Sequence, residues 1–486
     1  MKQVTKLVCV FLSIFTLIGV GYSNITKNVY ASAPAIVEYR ITGEESKVSL
    51  PRISGNKIVY EDSRDGNANI YVADITDPNN VIEKQVTSEP AWQSNPDIYG
   101  NIIVWDDMRH DNQHEIYMAD ISDFNNIIQT RVTNNPGKQN APDIYENNIA
   151  WEDFRNGEPD IYMADVTNKS DIIETQITTD SSAQYAVGIY GNIVVWEDRR
   201  NCGLGRNTDI YMTDISDLSH LLETRITSDS INGSYPQVSG NKVIWYDFQG
   251  SGDPFYNNDI YVADVSSLDN IKTERITDSE YSQFAAEIDG NVVVWVDQRT
   301  GAGKNNIYMA DVGDMDSIVE TQISSSEKGG YPAISGNKIV WSDVRDDTHS
   351  PKYIANIYLA TFTYPDTTVP TFSNLPNNNS PINIDNGQFI TTNPFIIKVK
   401  PTDNVGISNV KFYVDDNLIC TATAVDANGV YSCAWDTSKY HSVVKVVAYD
   451  TSNNPTELLS RTTLVDPVLY IGQTPALTEL PATGKE

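Results

Sequence analysis

Basic residues, histidine and cysteine are scarce in this sequence of 486 residues. Lys and Arg number 34 against 65 Asp and Glu, so the formal net charge at pH 7 is −31. A surface of that sign repels phosphates, which argues against nucleic acid and against anionic lipid headgroups as partners. The 27 Tyr and 8 Trp are too many aromatic residues for a disordered acidic chain. We therefore expect a folded, acidic protein.

Long apolar segments are also lacking. The one clear run covers residues 7–20 and follows Lys2 and Lys6. It is too short to cross a bilayer comfortably, and small residues follow it at Ala31-Ser32-Ala33. We predict a signal peptide at residues 1–33, no transmembrane segment, and an extracellular or cell-surface location.

Residues 36–363 contain a tandem repeat. Its clearest mark is an aromatic column with spacings of 45 to 50 residues, which takes six of the eight Trp: Tyr60, Trp105, Trp151, Trp196, Trp245, Trp295 and Trp341. Each unit has a tight-turn signal such as Gly55-Asn56, several short β-rich runs and no helical periodicity. The pattern predicts one four-stranded antiparallel sheet per unit.

Radial stacking of such sheets is a β-propeller, and the phase of the repeat favours a closed ring. The last unit lacks its fourth strand, and a copy of that strand stands at Glu38-Tyr39-Arg40-Ile41-Thr42, ahead of the first unit. We predict an all-β, seven-bladed β-propeller in which this N-terminal strand completes the last blade.

The units resemble known propeller repeats. Residues 191–200 followed by residues 209–214 are similar to TolB-type repeats, and more so to the repeats of prokaryotic surface proteins. The resemblance implies a propeller fold. A protein or glycan ligand at the propeller face is favoured by the acidic and aromatic character of the rim described below. Seven units and no preceding domain differ from the TolB pattern, so a periplasmic adaptor role is the less favoured alternative.

Polar residues recur in phase with the aromatic column. An Asp follows it by two positions and an Arg by four, with Gln249 replacing Arg in the fifth unit. One interpretation is a ring of carboxylates that binds cations. The favoured interpretation is an architectural Asp–Arg pair that ties blade to blade, with the Arg near an aromatic ring, because the Asp recurs in every unit. The members are Asp62, Arg64, Asp107, Arg109, Asp153, Arg155, Asp198, Arg200, Asp247, Asp297, Arg299, Asp343 and Arg345. A second column, Tyr71, Tyr117, Tyr162, Tyr211, Tyr261, Tyr308 and Tyr358, is expected to bond neighbouring loops through its hydroxyls.

Ligand-binding residues should lie where the repeats differ. Aromatic residues between units are expected to form one rim together with the loops of variable length, and they are Trp92, Tyr185, Tyr235, Phe284 and Tyr331. Catalytic motifs are lacking, since no Gly-x-Ser-x-Gly elbow occurs. His110 and His114 share what reads as a loop, where their spacing does not order metal ligands, so no metal site is predicted.

Residues 371–466 follow a linker at 364–370 and show another β-rich pattern. They resemble the immunoglobulin-like modules of bacterial surface proteins, with Asp403-Asn404-Val405-Gly406 among the typical residues. The length suits a sandwich. Cys420 and Cys433 flank a turn and are expected to form a disulfide across a hairpin, which leaves Cys202 unpaired. We expect no cofactor, although Asp403, Asp450 and Asn453 leave a calcium site open as an alternative to solvated turn residues.

The final segment, residues 467–486, is predicted to be a disordered tail. It contains Leu480-Pro481-Ala482-Thr483-Gly484, which resembles a sortase signal but lacks the apolar stretch and basic tail that follow such signals. A chance match is an equal alternative. Taken together, the sequence predicts an exported binding protein, not an enzyme, with its ligand at the propeller rim and an immunoglobulin-like stalk. An extracellular lyase or glycosidase is the alternative.

Overall fold

The structure is a computed structural model. It describes residues 34–43, 46–110, 113–201, 208–228, 232–249, 257–347, 354–363, 371–375, 382–383, 389–390, 394–403, 406–415, 417–436, 441–450, 455–457 and 461–465. The predicted signal peptide, the linker, Cys202, Asn453 and the LPATG segment lie outside these ranges. The chain divides into two compact units, one of which is Ala33–Thr363 and the other of which includes Tyr364–Glu486.

The first unit consists of seven four-stranded antiparallel sheets, which confirms the predicted blades. The sheets are called blade 1 to blade 7 in chain order, and the strands of each blade are given from the axis outward. Blade 1 is β2(Val48–Ser54), β3(Lys57–Asp62), β4(Asn69–Asp74) and β5(Ile82–Gln85); blade 2 is β6(Gln93–Tyr99), β7(Ile102–His110), β8(Gln113–Asp120) and β9(Ile128–Arg131). Blade 3 is β10(Gln139–Tyr145), β11(Asn148–Asp153), β12(Asp160–Asp165) and β13(Ile173–Gln176); blade 4 is β14(Gln184–Tyr190), β15(Ile193–Asp198), β16(Asp209–Asp214) and β17(Thr224–Arg225).

The remaining blades repeat this order, and the last one takes its outer strand from the N-terminus. Blade 5 is β18(Gly233–Ser239), β19(Lys242–Gln249), β20(Asn257–Asp264) and β21(Lys272–Arg275); blade 6 is β22(Gln283–Asp289), β23(Val292–Asp297), β24(Asn306–Asp311) and β25(Val319–Gln322). Blade 7 is β26(Gly329–Ser335), β27(Lys338–Asp343), β28(Asn356–Thr363) and β1(Ala35–Arg40).

The ring is closed by pairing of β1 with β28. Their register runs antiparallel from Ala35 opposite Thr363 to Arg40 opposite Tyr358. The Thr42 hydroxyl then accepts a hydrogen bond of 3.0 Å from the amide of Ile357, as Thr or Ser does at the same place in the other six blades. The predicted closure by the N-terminal strand is therefore confirmed.

Apolar residues of neighbouring sheets form the core of the propeller. The side chains of the aromatic column are fully buried. Tight turns join the first and second strands of each blade, and their first residue has a positive φ between 55° and 59°. Glycine occupies six of these seven positions, since it adopts such angles without strain. Each sheet thus packs two apolar faces against its neighbours.

The second unit is β-rich and consists of two sheets. One has the strand order β29(Thr371–Ser373), β31(Phe395–Thr402) and β34(Tyr431–Trp435). The other is built from β30(Phe389–Ile390), β37(Arg461–Val465), β35(His441–Asp450), β32(Ile407–Val414) and β33(Asn417–Ala422), with β36(Pro455–Glu457) paired to β35. A buried cluster that includes Val399, Phe412 and Trp435 lies between them. No helix among the described residues could span a membrane.

The two cysteines of this unit are joined as a disulfide, Cys420–Cys433. The pairing agrees with the expectation, but the expected hairpin is wrong. Cys420 lies on β33 and Cys433 on β34, and these strands pair with β32 and β31 in different sheets. The disulfide therefore links the two layers of the sandwich.

Candidate functional site

The innermost strand of every blade contains a bulge that opens it toward the propeller axis. Its third residue has a positive φ of 46° to 51°, and the register with the second strand shifts there. These residues are Leu50, Asn95, Ala141, Ala186, Tyr235, Ala285 and Tyr331. Proline follows in five of the seven blades, and a bulge suits it because proline cannot donate to the ladder.

The bulges surround a cavity of about 420 Å³, which we call the axial cavity. All seven innermost strands line it, together with Glu152 and Tyr246 from second strands. We call the end at which the innermost strands begin the entry end. The loops between second and third strands return to this same end, because the first two strands of each blade are antiparallel. The volume lies in the range of small-ligand sites.

Four carboxylates lie at this end, in blades 1 to 4, and we call them the carboxylate arc. Each immediately follows the buried aromatic residue, and each accepts a hydrogen bond from the bulge amide of the next blade: Glu61 from Asn95 at 2.8 Å, Asp106 from Ala141 at 3.4 Å, Glu152 from Ala186 at 2.8 Å, and Glu197 from Tyr235. Burial raises the pKa of Glu61, Glu152 and Glu197, although these hydrogen bonds act in the opposite direction. The arc therefore ties successive blades together.

The arc stops at blade 5. The equivalent residues of blades 5, 6 and 7 are Tyr246, Val296 and Ser342. The ring of Tyr246 stacks on that of Tyr235 at a centroid distance of 5.1 Å, and burial together with the neighbouring Tyr235 and Glu197 raises the pKa of Tyr246. One half of the ring around the entry end is thus acidic and the other half is aromatic or uncharged.

Deeper in the axial cavity lie four charged residues of the innermost strands. Arg52 pairs with Glu287 at 3.1 Å and so joins blade 1 to blade 6, past blade 7. Burial alone would lower the pKa of Arg52, but Glu287 and other nearby carboxylates raise it. Burial, and then the charge of Asp97, raise the pKa of Asp143 well above its usual value. A side-chain hydrogen bond between Asp143 and Asp97 raises the pKa of Asp143 further.

The predicted rim residues are only partly brought together. Tyr235, Phe284 and Tyr331 line the axial cavity. Trp92 and Tyr185 do not; Trp92 precedes β6 with 60% of its surface exposed, and Tyr185 lies beneath the guanidinium of Arg199, 4.6 Å from its ring centroid.

The Asp–Arg pairs, expected to tie blade to blade, contact mainly residues of their own blade. In five blades the indole Nε1 donates to the Asp at 2.9 to 3.1 Å, and in six blades the Arg stacks on the Tyr of the third strand at 4.0 to 4.7 Å. In five blades the Arg also pairs with a Glu in or beside the outermost strand of its own blade: Glu83, Glu174, Glu223, Glu320 or Glu38. The pair therefore connects strands within one sheet, because the side chain follows its own strand end outward.

Hydroxyls of the Tyr column reach neighbouring loops. Tyr71 donates to Asp65 at 3.1 Å and Tyr358 to Asp346 at 2.6 Å, whereas Tyr162 accepts from Asn156 at 3.2 Å. Burial and the bond to Asp65 raise the pKa of Tyr71 to about 12. These contacts agree with the predicted loop-bonding role.

The expected loop around His110 and His114 is instead an extended hairpin. β7 continues to His110 and β8 begins at Gln113, so both histidines belong to strands. Nδ1 of His114 lies 2.5 Å from Oδ2 of Asp106, a member of the carboxylate arc. In the described part of the chain, no group of three or more His, Cys, Asp or Glu side chains is placed to hold a metal ion.

Sequence reasoning missed the carboxylate arc and the bulges. The sequence contains a signal for each. The position directly after the aromatic column holds an acidic residue in the first four units and Tyr246, Val296 or Ser342 in the last three, and proline recurs at one position of the innermost strand. Neither signal shows by itself that these side chains meet around one cavity.

Comparisons with known proteins identify a family for part of the second unit. Residues 383–454 match the family model of a bacterial Ig domain. No curated protein sequence matches the chain. Among solved structures, the propeller domain of the trilobed protease from Pyrococcus furiosus is 13% identical, with a TM-score of 0.46, and the match covers 66% of this chain and 96% of that one.

Two further solved structures are similar at the same low level. A protein assigned as TolB from Agrobacterium tumefaciens is 17% identical, with a TM-score of 0.36 and coverage of 49% of this chain and 87% of that chain. A puromycin-hydrolyzing peptidase of Mycobacterium tuberculosis is 11% identical, with a TM-score of 0.45 and coverage of 74% and 59%. The seven sheets themselves form a β-propeller, and residues 383–454 that follow it in the chain are similar to bacterial immunoglobulin-like domains.

Proposed function

We propose that this chain is an exported cell-surface binding protein whose propeller holds a ligand in the axial cavity. The observation that carries this proposal is the cavity itself, which has aromatic residues on one side and hydrogen-bonded carboxylates on the other. The immunoglobulin-like unit serves as a spacer toward the cell envelope. The apolar run at residues 7–20 and the match to a bacterial Ig domain support export.

The asymmetry of the cavity supports a ligand site. An architectural feature recurs in every blade, as the buried Asp does. The side chains around the axial cavity instead differ from blade to blade, with Tyr235, Phe284 and Tyr331 contributed by blades 5 to 7. Variation on a repeated scaffold is typical of binding surfaces.

The state of the cavity carboxylates supports binding over catalysis. Glu287 is paired with Arg52, and Asp143 accepts a 3.0 Å hydrogen bond from the amide of Ile189. Glu152 accepts from the amide of Ala186 and from Nδ2 of Asn140 at 3.1 Å. Carboxylates held in this way position the blades, whereas a catalytic pair needs an acid and a base free to reach substrate.

The test is a binding screen of the purified full chain against panels of glycans and surface proteins, followed by alanine substitutions. Tyr235→Ala and Tyr331→Ala should each weaken binding by about tenfold or more, because each removes an aromatic face from the cavity. Trp92→Ala is the matched control, since this exposed aromatic residue does not line the cavity. Loss of binding in the control alone would place the ligand on the outer rim and contradict the proposal.

A carbohydrate-active enzyme is a second candidate, favoured by one observation. Glu152 lines the cavity and burial raises its pKa, which is what a general acid requires. Prolonged incubation with the bound glycan distinguishes the candidates. Cleavage products that disappear in Glu152→Gln would favour the enzyme, and intact glycan would favour binding.

A further inference from the structure

The charged side chains that line the axial cavity do not balance. They are four carboxylates and one guanidinium, on Asp97, Asp143, Glu152, Glu287 and Arg52. The single cation, Arg52, is already paired with Glu287 at 3.1 Å. Three carboxylates are therefore left without a positive partner when all groups are ionised, and no second cation lines the cavity in the part of the chain that the structure describes.

Hydrogen bonds hold the two deep carboxylates in place without neutralising them. Oδ2 of Asp97 accepts from the amide of Ile144 in the next blade at 3.0 Å. Oδ2 of Asp143 accepts from the amide of Ile189 in the same way, also at 3.0 Å. Because an amide carries no net charge, the negative potential of the two carboxylates persists in the cavity. A concave site strengthens such a potential, since less water is present to screen it.

The pKa shifts of two deep residues agree with this lack of positive charge. Burial, followed by the charge of Asp97, raises the pKa of Asp143 well above its usual value, and Glu287 adds to the effect. Burial would lower the pKa of Arg52, yet the charges of the surrounding carboxylates raise it. The cavity thus disfavours a further negative charge and favours a further positive one. A cation placed beside Asp143 would stabilise the ionised form of that carboxyl group.

Aromatic rings on the other side of the cavity suit the same class of ligand. Tyr235 and Tyr331 line the cavity and are 57% and 49% exposed. The negative face of an aromatic ring attracts ammonium and guanidinium groups, and the carbon chain that carries such a group packs on apolar surface. Burial, and then the charges of Glu197 and Glu152, raise the pKa of Tyr235, so this ring lies within range of the carboxylate arc. A cationic ligand can therefore use both sides of the cavity.

Other ligand classes fit the cavity less well. An anion would meet unpaired carboxylates, and the guanidinium of Arg52 that could receive it is held by Glu287. A quaternary ammonium could contact the rings but has no N–H group to donate to the carboxylates. A primary ammonium or guanidinium group on a carbon chain satisfies both, and the volume of about 420 Å³ is in the range of small-ligand sites.

We infer that the axial cavity binds an organic cation whose N–H groups donate to the carboxylates of Asp97 and Asp143 while its carbon chain packs on the tyrosine rings. This inference rests on the proposed function and specifies the ligand class of the same site. The cationic group can belong to a free polyamine or to a basic side chain of a peptide, and the experiment distinguishes these two sources.

The first arm of the experiment compares matched ligands on the unmodified full chain by calorimetric titration. Cadaverine, a linear diamine, should bind about tenfold or more tightly than pentanediol, the diol of the same length, because charge-assisted hydrogen bonds are the stronger ones. An end-blocked lysine peptide is compared with the same peptide in which norleucine replaces lysine. Tighter binding of cadaverine would identify a free polyamine, and tighter binding of the lysine peptide would identify a basic side chain. Equal binding of diamine and diol, or a preference for uronate-containing oligosaccharides, would overturn the inference.

The second arm removes the two deep charges. Asp97→Asn and Asp143→Asn each keep an oxygen for the amide of the next blade, and each should weaken cadaverine binding by about tenfold. Asp289→Asn is the matched control, because Asp289 accepts from the amide of Gly336 at 2.6 Å but does not line the cavity. It changes the net charge of the protein equally and should bind within about twofold of the parent.

The outcomes separate this inference from the proposed function, and thermal unfolding verifies that each variant folds. Equal losses in all three Asp→Asn variants would attribute binding to overall charge and overturn the assigned site, as would unchanged binding in folded Asp97→Asn and Asp143→Asn. A neutral ligand that binds the parent and is lost in Tyr235→Ala would overturn the cation and leave the proposed function standing. Absence of any ligand in both screens would overturn both proposals.

Discussion

Asp153→Asn tests whether the buried Asp of the repeat stabilises its blade through charge. Asp153 accepts from the indole of Trp151 at 3.0 Å and from Nε and the backbone amide of Arg155 at 2.8 and 2.9 Å. Its side chain is fully buried, and only 17% of the Arg155 side chain is exposed. Asparagine keeps one acceptor atom but turns a donor toward the guanidinium. Hydrogen bonds between charged groups contribute about 1.5–3 kcal/mol, so we expect a loss of about 2–3 kcal/mol.

The fifth blade provides the matched control. There Gln249 replaces Arg, the indole of Trp245 has no hydrogen-bond partner among the residues that the structure describes, and Asp247 accepts from the amide of Asn232 at 2.8 Å. Asp247→Asn should therefore cost less than Asp153→Asn, since the arginine of the repeat is replaced by Gln249 in this blade. Differential scanning calorimetry and urea unfolding of both variants measure the difference. Equal losses at the two sites would refute the reasoning, because they would show that the Arg partner adds nothing.

Three further predictions concern the seam, the axial carboxylates and the sandwich. Thr42→Val and Thr178→Val should each lower the free energy of unfolding by about 1 kcal/mol, because each removes a hydroxyl that accepts a hydrogen bond of 2.9 to 3.0 Å from a backbone amide. A clearly smaller loss for Thr42→Val in urea unfolding would argue against the closed seam. The pKa of Asp143 is raised in the folded protein, so the contribution of this carboxyl group to stability is greatest at low pH and is lost as the group ionises. Asp143→Asn should therefore raise the melting temperature relative to the parent by an amount that grows as the pH rises above 3.8. A constant difference across the pH range would contradict this. Replacing Cys420 and Cys433 together by Ser should destabilise the sandwich by about 2–4 kcal/mol and leave the affinity for the ligand found in the screen unchanged. Calorimetry paired with a binding titration would contradict this if ligand affinity fell together with the stability of the sandwich.

Much of the propeller could be predicted because its repeat unit occurs seven times in the sequence. One Trp in an acidic chain has many explanations, but an aromatic residue followed by Asp and Arg in phase with a turn signal has few. The N-terminal copy of the outer strand, which includes Glu38, identified the seam. It can supply the outer strand that the last unit lacks only if the blades form a ring.

The site was harder to predict, because its residues differ between blades. Trp92 and Tyr235 both looked like rim aromatics in the sequence, yet only Tyr235 lines the cavity. The difference follows from the bulge: Tyr235 is at the left-handed position that turns the strand toward the axis, whereas Trp92 precedes the strand. Local sequence does not reveal which way a bulged residue faces.

The sequence alone thus determined the number of blades, the strand order within each, and the buried columns, because these depend on periodicity and short-range pairing. The tertiary structure decided which polar residues meet. Arg52 and Glu287 are more than 200 residues apart and meet only because seven blades close into a ring. The contacts of the carboxylate arc likewise became evident only in the ring, since an acceptor supplied by another sheet leaves no mark in the strand that donates to it.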